Sequence, residues 1–136
     1  MDMEKVEDFR DEVTGYYYKG YKNDNISNKQ FVQQLKEYDT NIGMAWITEM
    51  VDRDLKNVSG NYDVDYVIEN YDAILSKASS AGTLHFSFFG SNQGRDYTIF
   101  VYPREENVVY LQTEDASLEL TDILQKKNEI EKGRSL

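Results

Sequence analysis

At 136 residues, 25 of them acidic and 15 basic, the chain has the length of one domain and a formal charge of −10. That balance disfavours nucleic acid and anionic membrane as direct partners and favours basic surfaces. The absence of cysteine excludes disulfides, thiolate nucleophiles, thiolate zinc sites and iron–sulfur clusters, while eleven tyrosines, six phenylalanines and one tryptophan supply the bulk that disordered chains lack.

The negative charge is concentrated. Met1 to Glu12 holds six acids against two bases, and Asp39 to Asp72 holds eight against two, so the remainder of the chain is neutral in sum. The start, Met1-Asp2-Met3-Glu4, is acidic where a secretory signal is basic and then apolar. No window approaches the ~20 apolar residues of a membrane span, so a cytoplasmic protein is expected. Asn57-Val58-Ser59 matches a glycosylation sequon but reads as ordinary loop composition.

In chain order, Val6, Phe9, Val13, Tyr16 and Tyr17 recur at steps of three and four, which predicts a first helix ending at Gly20 with Glu4, Glu7, Asp8, Asp11 and Glu12 on its outer face. A second helix begins with a full set of start signals. Ser27 is its cap, Gln30 the reciprocal capping-box residue, and Ile26 and Phe31 a hydrophobic staple. Phe31, Leu35 and Tyr38 follow on one face, with a break at Asp39-Thr40-Asn41. A third helix is expected to present Met44, Ile47, Met50, Val51 and Leu55, with Trp46 beside them. After a loop at Asn57 to Asn61, Asp63 caps a fourth helix bearing Val64, Val67, Ile68, Tyr71, Ile74, Leu75 and Ala78.

At Gly82 the period shortens to two. Leu84, Phe86 and Phe88 alternate with His85 and Ser87, and turn residues at Ser91 to Gly94 and Pro103 to Asn107 separate two further strands, Tyr97 to Tyr102 and Val108 to Gln112. A last helix is expected over Leu120 to Lys132, with Ser117 to Leu120 as a competing strand. The predicted architecture is α+β: four N-terminal helices packed on a three-stranded antiparallel meander, with a C-terminal helix, as a single globular domain over residues 1–136.

Motifs that carry chemistry are absent. His85 is the only histidine and reads as a half-exposed strand residue on the face opposite Leu84, Phe86 and Phe88. Asp63-Val64-Asp65 has the opening of an EF-hand loop, but Ile68 stands where that loop needs glycine, and helix capping explains the segment. Gly90-Ser91-Asn92-Gln93-Gly94 lacks the Lys-Ser/Thr of a P-loop and joins two strands, so it reads as a hairpin turn. No catalytic residue, metal ligand or cofactor site follows.

The surface is more informative. Tyr16, Tyr17, Tyr18 and Tyr21 crowd six residues, more than one helix face accommodates, and exposed tyrosines anchor protein interfaces. Glu7 with Asp11 and Asp8 with Glu12 set like charges four apart, a spacing unfavourable to a helix. Asp8, Asp11, Glu12, Tyr18, Tyr21, Asp52, Asp54, Asp65 and Glu69 are therefore the expected partner-binding residues. His85 and Phe89 raise the further question whether the second face of the sheet is aromatic and bare, in which case homodimerisation competes with a foreign partner.

These properties make the chain similar in general profile to bacterial immunity proteins and phage-encoded inhibitors, with no motif matched residue by residue. The expected function is that of a small acidic inhibitor, not an enzyme, which neutralises a basic toxin enzyme or nuclease. The alternatives are a nucleic-acid mimic that blocks a DNA-handling enzyme, and an enzyme working with carboxylates or a divalent metal.

Overall fold

The computed structural model describes residues 3–23, 25–38, 42–51, 56–77, 83–104 and 108–124. Eleven elements follow one another along them: β1 (Glu4–Arg10), β2 (Tyr17–Lys22), α1 (Asn28–Tyr38), β3 (Met44–Val51), β4 (Lys56–Asp63), α2 (Val64–Glu69), α3 (Tyr71–Lys77), β5 (Thr83–Asn92), β6 (Arg95–Val101), β7 (Val108–Thr113) and α4 (Leu120–Ile123). The strands form one antiparallel sheet in the order β1-β2-β7-β6-β5-β3-β4. This overturns the expected four N-terminal helices on a three-stranded meander. β5, β6 and β7 make the middle of a seven-stranded sheet, and two more hairpins extend it on either side.

The expected first helix is the hairpin β1–β2. A helix would stack Glu7 on Asp11 and Asp8 on Glu12, whereas the hairpin sets Asp8 across from Lys19 and lets it accept from Lys5 Nζ at 3.0 Å. Asp11 then makes the turn: its Oδ1 accepts from the backbone N–H of Val13 at 2.9 Å, and Gly15 closes the turn at φ +81°, a conformation open to glycine. The tyrosines that follow are strong strand formers. A β-bulge between Lys5 and Glu7 interrupts the pairing near the start of β1.

The expected third helix is likewise a hairpin, β3–β4, which takes in the segment read as a loop over Asn57 to Asn61. Met44, Ile47, Met50 and Val51 fit a helical period, but Ala45 and Ile47 also fit a period of two, and β3 finds hydrogen-bonding strands on both sides.

α1 starts as its sequence dictates. The Gln30 N–H donates to Ser27 Oγ at 3.2 Å, and the Ser27 N–H donates to Gln30 Oε1 at 2.9 Å. Asp63 caps α2 by accepting from the Asp65 N–H at 2.8 Å, and Asn70 separates α2 from α3 inside what the periodicity reads as one helix. The β5–β6 turn is two residues, Gln93 at φ 51° and Gly94 at φ 79°, the signs a tight hairpin requires. Ser117 to Leu120 is not a strand, α4 occupies Leu120–Ile123, and the rest of the expected last helix lies outside the described residues.

One face of the sheet is the core. Leu84, Phe86 and Phe88 of β5, Tyr97, Ile99 and Val101 of β6, and Val109 and Leu111 of β7 share a buried cluster with Phe31, Val32 and Leu35 of α1, Val64 and Val67 of α2, Tyr71 of α3, and Leu120 and Ile123 of α4. Burying a side chain of the size of Phe86 contributes about 2 to 3 kcal/mol, and Tyr71 meets its ring edge-on at 5.5 Å. All four helices contribute to this face.

Candidate functional site

The opposite face carries none of the described helices, and its side chains follow from the strand registers. One cross-strand row runs Phe9, Tyr18, Gln112, Thr98, Phe89, and the next runs Glu7, Gly20, Tyr110, Phe100, Ser87, Trp46, Asn61. A third places His85 beside Thr48. The rings touch: Phe9 stacks on Tyr18 with centroids 5.3 Å apart, Tyr102 meets Tyr110 edge-on at 5.9 Å, and His85 lies 6.0 Å from Phe100 and 5.5 Å from Tyr102. Gln112 Nε2 donates to the Tyr18 hydroxyl at 2.7 Å, which ties β7 to β2 across the face. Phe9, Trp46 and Phe89 keep 47, 40 and 40% of their surface exposed, an aromatic area presented to solvent.

Charge stands at the margins of this face. Glu4 and Glu7 of β1 flank it on one side, with Lys22 opposite Glu4, and Asp96 stands at the start of β6. Burial in the aromatic rows pushes the His85 imidazole below its ordinary range, which keeps it neutral at pH 7.

The face continues at one end into an open cleft of about 920 Å³, which Phe89, Thr98 and Gln112 share with it and which Tyr16, Tyr17 and Asp96 also line. Beside the cleft, Arg95 is held by the backbone oxygen of Asn92 at 3.3 Å and by Asn92 Oδ1 at 2.9 Å.

On the core side of β1 and β2 a polar network fastens the segment after β7. Lys19, 1% exposed, donates to the backbone oxygens of Ala116 and Leu118 at 2.6 and 2.8 Å and to Glu119 Oε1 at 3.1 Å. Lys5 reaches the same carboxylate oxygen at 3.1 Å, and the Tyr21 hydroxyl donates to Glu119 Oε2 while accepting from the Leu120 N–H at 3.1 Å. Partial burial alone would raise the Glu119 carboxyl, but the bonds from Tyr21, Lys5 and Lys19 outweigh it and hold it below the usual carboxylate range. Burial, with Glu119 as acceptor, drives the Tyr21 phenol up. Every ammonium hydrogen of Lys19 has an acceptor, so Lys19 serves as a fastening, with no donor left over for a substrate.

The sequence-predicted partner-binding residues do not form one patch. Asp8, Asp11 and Glu12 lie on β1 and its turn, where Asp8 is engaged by Lys5 and Asp11 shapes the turn. Asp65 and Glu69 are exposed on α2, which packs on β3 and β4 at the other edge of the sheet. Six strand spacings, about 29 Å, separate those edges. Tyr18 belongs to the open face. Tyr21 is 2% exposed, because alternation along β2 turns it into the core, and its hydroxyl is bonded to Glu119. Asp52 and Asp54 lie outside the described residues.

Trp46, Phe100, Tyr102 and Tyr110 are central to the face and absent from that expected set. The alternation of His85, Ser87 and Phe89 signals the second face, but reading Trp46 as helical hides that it continues the same row. Among the described residues no group of three His, Asp or Glu side chains converges as a metal site, and no described helix is long and apolar enough to cross a membrane. Comparison of the chain with protein-family models, curated proteins and solved structures finds no match.

Proposed function

We propose that the protein is a small acidic binding protein, an inhibitor of the immunity type, that meets a basic toxin enzyme or nuclease in the cytoplasm with the open aromatic face of its sheet. The observation that carries this reading is the aromatic face itself, rigid, uncovered by any described helix and bordered by Glu4 and Glu7. Rigid rings cover contact area with little loss of entropy, and the −10 charge of the chain speeds encounter with a cationic surface. The alternatives draw less from the geometry. A nucleic-acid mimic rests on carboxylates spaced along a helix, and Glu4, Glu7 and Asp8 are on a strand whose side chains alternate between faces. A metal-dependent enzyme has no group of three His, Asp or Glu side chains among the described residues that could hold the ion.

The test is titration with a basic toxin or nuclease domain encoded beside this gene, following Trp46 emission and the activity of that domain. A blue shift of Trp46, loss of the domain's activity and weakening of both by added salt are expected. Full activity and unchanged Trp46 emission at low salt would sink the reading.

A further inference from the structure

We propose that a second copy of this chain covers the open face when no partner is bound, as a weak, symmetric, face-to-face dimer. The first argument is charge. Tyr110, Phe100, Ser87, Trp46, Thr98 and Gln112 occupy the middle of the face and carry no charge, while Glu4, Glu7, Lys22 and Asp96 stand at its margins. Two copies therefore bring their centres together without burying an ion, the step that most often forbids self-association.

The second argument is relief. Thr98, small and half-buried, stands between Gln112 and the 40% exposed Phe89 ring. A facing sheet about 10 Å away can set one of its rings over Thr98, as paired sheets interdigitate in sandwiches.

The third argument is area, and it sets the strength. With β1 and its Glu4 and Glu7 left outside the contact, six strands span about 24 Å and the paired stretch about 20 Å, so each copy offers about 480 Å² and the pair buries about 1,000 Å². That is the lower limit for specific association, which makes the dimer transient and displaceable.

The same face would serve a basic partner, but the two occupants respond oppositely to salt. Screening relieves the repulsion between two chains of −10 and strengthens the dimer, whereas it weakens attraction to a cationic protein. The experiment is sedimentation equilibrium of the full chain from about 1 to 500 μM at about 50 and 500 mM salt, with Trp46 emission recorded in parallel. The mass should approach twice that of the monomer at the upper concentrations, Trp46 should shift to the blue in step, and both changes should come at lower concentration in high salt. Phe89→Arg, at a position already 40% exposed, should weaken association at least about tenfold, while Val13→Arg, at a turn residue 94% exposed, should leave it unchanged. A monomer at every concentration overturns the proposal. So does a dimer that leaves Trp46 unshifted or is indifferent to Phe89→Arg, since its interface lies elsewhere. Blue-shifted Trp46 emission independent of concentration overturns it too, because the chain's own residues 125–136 would then be the cover. A monomer at every concentration, or a dimer formed elsewhere, leaves the binding of a basic partner untouched, since its salt response has the other sign, whereas a face covered by the chain itself would count against both.

Discussion

Tyr110 lies across Gly20 on the neighbouring strand, its ring taking the space that a side chain there would need. A Cβ on Gly20 would stand 3.1 Å from Tyr110 Cε1 and 3.2 Å from Glu7 Cβ, so β2 is narrow where the open face crosses it. The relationship recurs on the core face, where the Tyr97 ring crosses Gly90. A missing side chain in each case lets a tyrosine lie against the backbone of the next strand. Gly20→Val should displace Tyr110 and cost about 1 to 3 kcal/mol in denaturant unfolding. Gly90→Ala should cost at least as much, because Tyr97 is buried and has less room to give.

Lys19→Met keeps the length of the side chain and removes its donors. The carbonyls of Ala116 and Leu118 then lose their donor, the Leu118 one in a buried setting, and Glu119 loses one of its two lysines. A loss of about 2 to 4 kcal/mol is expected, read as a lower urea midpoint at unchanged slope. An unchanged midpoint would mean that the segment after β7 is not held by Lys19.

Acid should destabilise the protein in two stages. His85 has a folded pKa below its unfolded value of 6.5, because burial disfavours the imidazolium; the stability linked to it is present above about pH 6.5 and is lost as pH falls through the folded value. Glu119 is also lowered, from 4.5, so its contribution is complete above that value and disappears at more acidic pH. Unfolding followed from pH 8 to 3 should show both steps. His85→Gln should remove the upper one alone, and Glu119→Gln should reduce the lower, to which Asp115, lowered by its bonds from Ser117, also contributes.

Charge reversal separates the two acidic regions. Glu4→Lys with Glu7→Lys alters the margin of the open face and should slow association with a basic partner by about tenfold at low salt, with a smaller effect on dissociation. Asp65→Lys with Glu69→Lys, at the far edge on α2, should leave the rate nearly unchanged. Stopped-flow measurement of Trp46 emission distinguishes them. Equal effects would show that total charge, and not its placement, governs encounter.

Tyr71 offers a test in the stabilising direction. Its ring packs on Phe86, but among the described residues its buried hydroxyl has no hydrogen-bond partner, and burial pushes the phenol up. Tyr71→Phe removes the unpaired group and retains the ring contact. Thermal unfolding should be unchanged or shifted upward, by the equivalent of up to about 1 kcal/mol.

The parts of the fold legible in the sequence are those governed by neighbours along the chain. Ser27 and Gln30 cap one another, Asp63 caps α2, and Gln93-Gly94 turns a hairpin, each through contacts within three residues. The parts misread depend on distant partners. Val6, Phe9 and Val13 fit a helical period, yet all three are exposed, so the repeat marked no buried stripe. β2 becomes a strand by pairing with β7, some ninety residues away. Met44 to Val51 is committed by its place between β4 and β5. The site followed the same division. Tyr18 and the alternation around His85 were visible locally, but the row joining Tyr110, Phe100 and Trp46 exists only once three separated segments are in register.

The bulge in β1 bears on what kind of assembly is accessible. Along that strand Glu4, Lys5, Glu7, Asp8 and Arg10 crowd a short, wholly exposed edge whose regular spacing is broken near Val6. A foreign strand seeking the free backbone groups of β1 would meet charges of both signs and a misaligned ladder. Growth by adding strand to strand is obstructed there. A contact made at the β1 edge therefore has to run through side chains and not through the backbone ladder, which leaves β4 as the sheet's one edge without such a bulge.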